Sequence, residues 1–117
     1  MTTNNEKLKW IYGMGATCFC AYFWTACSVN QAFQITNADT ERLQNRGYGY
    51  SASKKELEEG YKLYVVKCGN CHNLVIPTKY TSYEWKFKFL ERELQTAKVE
   101  DEREKKLISM FILAKAR

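Results

Sequence analysis

Residues 68–72 have the sequence Cys68-Gly69-Asn70-Cys71-His72, and the interpretation of the whole chain starts from them. Two thiols three positions apart, followed at once by an imidazole, form the attachment signature of c-type haem. The two sulfurs can add to the vinyl groups on one edge of a porphyrin, and the adjacent imidazole then binds the iron. The motif predicts one covalent haem c, with Cys68 and Cys71 as attachment sites and His72 as the iron ligand.

Other uses of this motif fit the chain less well. A structural zinc site requires four ligands, and outside the N-terminal segment the chain offers only this motif and the distant Cys27. A thioredoxin-like redox pair is expected beside a βαβ pattern, which the sequence lacks. A structural disulfide over so short a span would stabilise little. Zinc and disulfide chemistry therefore remain as minor alternatives.

The N-terminal segment has the pattern of an export signal. Lys7 and Lys9 precede an uncharged stretch that runs from Trp10 to about Asn30, and a basic region followed by an apolar one is typical of such signals. The sequence Trp24-Thr25-Ala26-Cys27-Ser28 resembles a bacterial lipoprotein cleavage site. We expect residues 1–26 to be a lipoprotein signal peptide, with Cys27 as the lipidation site.

Two alternatives for this segment stay open. About 20 apolar residues are enough to span a bilayer as an uncleaved anchor helix, and a buried helix of a soluble domain is the third interpretation. The first two predict a domain that is exported, anchored to the membrane and facing the periplasm. Lipoprotein processing would also leave no spare thiol, since Cys18 and Cys20 would leave with the signal.

The rest of the chain is predicted to be all-α. Residues 27–52 are polar without a sustained period, and we expect an extended linker there. A capping box at Ser53-Lys54-Lys55-Glu56 begins the first helix, whose apolar face leads into Cys68. The expected members of that face are Leu57, Tyr61, Tyr64 and Val65.

A loop at residues 73–80 is predicted to separate this helix from two more. A second capping box, Thr81-Ser82-Tyr83-Glu84, opens the next helix, and acids at residues 100–104 suit the first turn of the last one. The expected apolar stripes are Trp85, Phe89, Leu90 and Leu94, then Leu107, Ile108, Phe111 and Ile112. The core of a domain of about 65 residues rarely contributes more than about 3–5 kcal/mol of stability. A covalent haem would therefore stabilise the domain further.

The stretch from Lys54 to Ala114 resembles small bacterial monohaem cytochromes c. The resemblance rests on residues 60–64, on residues 67–74 around the motif, and on Pro77, Tyr80-Thr81 and Glu84-Trp85. It implies a shortened cytochrome c fold over residues 53–117, with about three helices around the haem. It also implies that a backbone carbonyl near Pro77 accepts from the His72 ring, and that Tyr80 and Trp85 contact the haem. Plain core packing is the alternative for these two aromatic residues.

The chain departs from this family at the second iron ligand. Such cytochromes usually carry a methionine on the second helix, where this chain has Arg92-Glu93-Leu94. Met110 is the only methionine beyond the N-terminal segment, and we expect it to pack in the core. The iron would then be five-coordinate, water-bound or held by a nitrogen or oxygen donor, and its potential lower than that of a His/Met site.

These features predict a membrane-tethered cytochrome that transfers single electrons between extracytoplasmic respiratory partners. Lysines near the haem edge (Lys67, Lys79, Lys86, Lys88) could steer an acidic partner, although plain solubility is the favoured explanation for them. The alternatives are a five-coordinate haem protein that binds or senses a small gas, and a structural haem subunit of a respiratory complex. The net charge of +5 comes without a basic run, so we expect no nucleic-acid partner. No enzymatic constellation is visible.

Overall fold

The computed structural model describes residues 33–117, and a compact unit spans Ile35–Arg117. This part of the chain forms four helices and no strand, which confirms the all-α class. The helices are α1 (Asn37–Asn45), α2 (Lys54–Gly69), α3 in three consecutive segments (Ser82–Glu84, Trp85–Phe89 and Leu90–Thr96) and α4 (Glu102–Lys115), with a 3₁₀ turn at Pro77–Lys79. The predicted signal or anchor segment, residues 1–26, and the predicted lipidation site Cys27 lie outside the described residues.

Helix α4 is the centre of the domain. Residues 107–114 are all buried, and a helix that is apolar around its whole circumference has to be enclosed by its neighbours. Helices α1 and α2, the 3₁₀ turn and the middle segment of α3 all contact it. The expected buried residues Leu107, Ile108, Phe111 and Ile112 are confirmed, and Met110 is buried as expected.

Helix α2 packs closely against α4 because of Gly60. A Cβ atom at this position would overlap the backbone carbonyl of Leu107 and touch the side chain of Phe111. The absence of a side chain allows the two backbones to approach. Leu57 and Tyr64, one turn to either side of Gly60, are buried in the same interface, whereas Val65 is 37% exposed and Tyr61 partly exposed.

The expected extended linker at residues 27–52 is wrong for Asn37–Asn45, which form helix α1. Leu43 of this helix is fully buried, and Arg42 and Arg46 donate to the carbonyls of Ala114 and Ala116 at the end of α4. Those carbonyls have no partner inside their own helix. Helix α1 is therefore part of the core and supplies donors to the C-terminus of α4.

Both predicted capping boxes are present. The Ser53 hydroxyl accepts from the Glu56 N–H while the Glu56 carboxylate accepts from the Ser53 N–H, and Thr81 and Glu84 are paired in the same way. Helix α4 begins after Asp101, whose carboxylate accepts from the Glu104 N–H. These caps satisfy first-turn amides that have no helical partner.

Helix α3 contains a π-helical turn at Trp85–Phe89, where the Leu90 N–H donates to the Trp85 carbonyl. In an ordinary α-helix, residues five apart lie on different faces, but i→i+5 bonding brings them together. Trp85, Leu90 and Leu94 are all buried as a result, and Phe89 is partly buried. The π turn thus determines which residues of the last segment of α3 face the rest of the domain.

Among residues 33–117, none of the helices combines the length and the apolar character that crossing a bilayer requires.

Candidate functional site: the Cys68–His72 motif and the last segment of α3

The motif lies at the C-terminal end of helix α2. Cys68 is in the last turn and fully buried, whereas Cys71 is exposed just beyond the helix. The Cys71 N–H donates to the Cys68 carbonyl at 3.4 Å, so the chain turns tightly between the two thiols. This turn carries His72, whose side chain is 33% exposed, out of the helix.

The orientation of the His72 ring is set by its own neighbour in sequence. Nδ1 lies 2.8 Å from the Asn73 backbone carbonyl. A carbonyl can only accept, so Nδ1 carries the proton and Nε2 is the nitrogen available to a ligand. This hydrogen bond, together with the nearby Glu93 carboxylate, raises the pKa of His72. Such a bond at the far ring nitrogen is typical of histidines that bind metal.

The second contact of His72 comes from helix α3. Nε2 lies 2.9 Å from Oε2 of Glu93, which is 17% exposed and belongs to the segment that follows the π turn. Since Nδ1 is already protonated, a proton must also lie between Nε2 and the carboxylate for this contact to be attractive. Nε2 of His72 and Oε2 of Glu93 therefore face each other, and their contact favours the positively charged form of His72.

Two hydrogen bonds, one partly buried and one fully buried, hold the loop that follows the motif. The Tyr64 hydroxyl donates to the Val75 carbonyl at 2.6 Å, and the Trp85 indole N–H donates to the Pro77 carbonyl at 2.7 Å. The first bond ties the loop to α2 and the second ties it to α3. Burial, followed by the charges of Cys68 and Glu93, raises the pKa of Tyr64, so the phenol remains a donor.

The resemblance placed a carbonyl near Pro77 on the His72 ring, and the structure differs. The Pro77 carbonyl accepts from Trp85, and the carbonyl on the His72 ring is that of Asn73. Pro77 itself is buried at the start of the 3₁₀ turn.

Tyr80 and Trp85 belong to one aromatic cluster. The Tyr80 ring lies 5.6 Å from the Trp85 ring and 4.4 Å from the Phe89 ring. Trp85 is 1% exposed, so in this structure it packs in the core and anchors the loop. Contact of either ring with haem remains a prediction.

The environment of Cys68 disfavours its thiolate form. Burial, and after it the Glu93 carboxylate, raises the pKa of Cys68 to about 11. The Glu93 carboxylate therefore acts on three of the groups at this site: Tyr64, Cys68 and His72. The site is a cluster built from the end of α2, the loop after it and the last segment of α3.

The donor types of the motif are those that a covalent haem requires. Two cysteines flank one turn of chain, one buried and one exposed, and because Nδ1 of the single histidine is engaged, Nε2, which here contacts Glu93, is the nitrogen that would bind iron. Two apolar side chains close to the motif in sequence, Val65 and Ile76, are 37% and 48% exposed. Apolar surface of this kind beside the attachment site is what a porphyrin would cover.

Glu93 and Asn73 are the site residues that sequence reasoning missed. In the sequence, Glu93 stands out only because it lies in the stretch where cytochromes of the resembling family usually have a methionine. The available signal was that same position, because a donor on that helix faces the histidine in the family the chain resembles. The role of the Asn73 carbonyl could not be predicted from residue types, because every residue has a backbone carbonyl.

Met110 and the lysines singled out in the sequence lie away from the His72–Glu93 contact or have other partners. Met110 is 1% exposed in the middle of α4. Of the lysines predicted near the haem edge, Lys67 pairs with Glu104 at 3.0 Å and Lys86 donates to the Tyr50 hydroxyl. Lys79 lies over the Tyr80 ring, and Lys88 is exposed. Among residues 33–117, no group of three or more Cys, His, Asp or Glu side chains is arranged to hold a metal ion.

Comparison of the chain with protein-family models, with curated proteins and with solved structures found no match.

Proposed function

We propose that this protein is a membrane-tethered c-type cytochrome that passes single electrons between extracytoplasmic respiratory partners. The observation that carries the proposal is the motif at the end of α2. There the two thiols lie either side of one turn, and the hydrogen bond of His72 Nδ1 to a backbone carbonyl makes Nε2, which contacts Glu93, the nitrogen that would bind iron. When bound, the haem would supply a one-electron iron couple.

The chain's own residues have separate tasks in this proposal. Cys68 and Cys71 would hold the porphyrin through thioether bonds, so that a small domain keeps its cofactor outside the cytoplasm. His72 would bind the iron, and the Asn73 carbonyl orients its ring and increases its basicity. Tyr64 and Trp85 fix the loop after the motif to two helices, which limits rearrangement around the iron when its charge changes.

Haem attachment is tested by maturing the full chain in cells with a complete cytochrome c assembly apparatus. We expect an increase in intact mass equal to one haem, a Soret band and reversible one-electron reduction. Cys68→Ala and Cys71→Ala should each lose one thioether bond, and the double variant should lose covalent haem. Wild-type protein without added mass and without a Soret band would refute the proposal.

Membrane attachment is the second part of the proposal and rests on residues 1–27 of the sequence. Radiolabelled fatty acid should be incorporated into wild-type protein and not into Cys27→Ser. If the segment is instead an uncleaved anchor, both proteins stay in the membrane fraction without label. Recovery of unlabelled, full-length wild-type protein in the soluble fraction would contradict both forms of tethering.

Two measurements, the rate of electron exchange and the binding of carbon monoxide, distinguish an electron carrier from a gas sensor. A carrier should exchange electrons rapidly with small redox proteins at low ionic strength, more slowly as salt screens the encounter. A gas sensor should bind carbon monoxide tightly and exchange electrons poorly. A structural haem subunit predicts co-purification with a larger complex.

A further inference from the structure

We propose that Glu93 would supply a second protein ligand to the haem iron, in addition to His72. The inference rests on the proposed haem attachment and goes beyond it, because it assigns the ligand that the missing methionine leaves open. Oε2 of Glu93 faces Nε2 of His72 at 2.9 Å, and Nε2 is the ring nitrogen that the Asn73 carbonyl leaves available.

The two donors lie about 1 Å closer together than a metal between them would require. Metal bonds to an imidazole nitrogen and to a carboxylate oxygen are each about 2 Å long, which places the two donors about 4 Å apart. The carboxylate would have to withdraw by about 1 Å, a distance that a change of side-chain rotamer covers. Both side chains are partly exposed, His72 by 33% and Glu93 by 17%.

Helix α3 holds Glu93 firmly in this position. The flanking residues Leu90 and Leu94 are buried, so the helix cannot rotate about its axis without exposing them. The register depends on the π turn at Trp85–Phe89, which brings Trp85 and Leu90 onto one face. Turns of this kind occur frequently at functional sites.

Other donors in the described part of the chain are less well placed. Met110 is enclosed in α4, and Lys67 is paired with Glu104 at 3.0 Å. Glu93 needs only the change of side-chain rotamer, because its carboxylate already contacts the ligating nitrogen. A carboxylate oxygen of Glu93 would supply an electron pair to the iron, and the proton that it shares with His72 would be released to water.

A carboxylate ligand has a defined effect on the iron. A hard anionic oxygen stabilises the ferric form more than the ferrous form, so it lowers the reduction potential. It is also a weak-field donor, so the ferric iron should be predominantly high-spin. Nitrogen or sulfur opposite His72 would give a low-spin ferric iron instead.

The test uses the matured full-length protein and three variants: Glu93→Gln, Glu93→Met and Glu91→Gln. Glu91 is exposed on the same helix, so its variant controls for the loss of one negative charge nearby. Haem content is measured first by mass and by the alkaline pyridine spectrum. Ferric absorption, electron paramagnetic resonance and midpoint potential are then compared.

We expect all four proteins to carry haem and the wild type to be high-spin. Glu93→Gln should change the ferric spectrum and increase the reduced-to-oxidised ratio at a fixed electrode potential at least tenfold, which is 59 mV for one electron. Glu93→Met should become low-spin, and Glu91→Gln should match the wild type. A low-spin wild type, or a Glu93→Gln spectrum identical to that of Glu91→Gln, would overturn the inference while haem attachment stands. Wild-type protein without haem would refute the proposed function itself.

Discussion

Asp39 of helix α1 and Lys115 of helix α4 form an ion pair of 3.0 Å across 76 positions of the chain, with 3% and 11% of their side chains exposed. The same carboxylate accepts from the Thr36 N–H and from Arg42. The pair ties the start of α1 to the end of the central helix, in a stretch of sequence that looked like a linker.

The stability of the domain should depend on the ionisation of Asp39. Burial opposes its charge, but the hydrogen bond from Thr36 and the contact with Lys115 outweigh burial and lower the pKa of Asp39. A group with a lowered folded-state pKa stabilises above its unfolded value, about 3.9 for Asp, and this stabilisation is lost as pH falls through the folded value. Asp39→Asn should cost about 3 kcal/mol at pH 7, with the difference from wild type shrinking below pH 4.

Urea unfolding of the matured proteins between pH 2.5 and pH 7 measures this effect. Glu41→Gln, exposed on the same helix, is the control and should follow the wild type. A constant gap between Asp39→Asn and wild type over the whole range would show that the carboxylate charge is not responsible.

Helix α1 should contribute to the core through Leu43. Its side chain is fully buried, and truncation of such a leucine costs about 2–5 kcal/mol. Leu43→Ala should lower the free energy of unfolding by that amount, and Gln44→Ala, on the exposed side of α1, should change it by less than about 0.5 kcal/mol. Equal effects of the two substitutions in thermal or urea unfolding would place α1 outside the cooperative domain.

The close approach of α2 and α4 should make Gly60 sensitive to a single methyl group. Gly60→Ala would push a Cβ into the Leu107 carbonyl, and overpacking of this kind costs about 1–3 kcal/mol. At Gly69 in the same helix, an added Cβ would meet Leu74 at an ordinary 3.5 Å. Gly69→Ala should therefore leave the melting temperature in calorimetry unchanged or slightly raised. The prediction fails if the two variants have the same melting temperature.

The Tyr64 hydroxyl should hold the loop after the motif. Tyr64→Phe removes its hydrogen bond to the Val75 carbonyl and should cost about 1 kcal/mol. Amide exchange at residues 73–77 should accelerate relative to the rest of the domain. Tyr83→Phe removes the hydroxyl of a ring that is 61% exposed and should leave exchange unchanged, so acceleration in both variants would argue against a specific tether.

The two motif thiols should react at different rates in haem-free protein. Cys71 is exposed, whereas Cys68 is buried with its pKa raised to about 11, and the thiolate is the reactive form. Iodoacetamide at pH 8 should modify Cys71 first, as followed by peptide mass spectrometry, and 6 M urea should abolish the difference. Equal rates in native protein would mean that Cys68 at the end of α2 is accessible to iodoacetamide.

Local patterns could be predicted from the sequence and distant contacts could not. The boxes at Ser53–Glu56 and Thr81–Glu84 were predictable because each satisfies amides within three residues of itself. Helix α1 was missed because Leu43 is its only buried apolar residue, which leaves no hydrophobic period to detect. Its partners, the last turn of α4 and Lys115, lie about 70 residues further along the chain.

By itself, the sequence determined an all-α domain, the start of each helix from Ser53 onward, and the grouping of two thiols and an imidazole within five residues. These features depend on neighbours in the chain. Only the tertiary structure decided that Glu93 faces His72 and that the Pro77 carbonyl belongs to Trp85. The physical reason is register: the π turn in α3 changes which side chains face α2, and the hydrogen bonding that creates this turn is absent from any hydrophobic pattern.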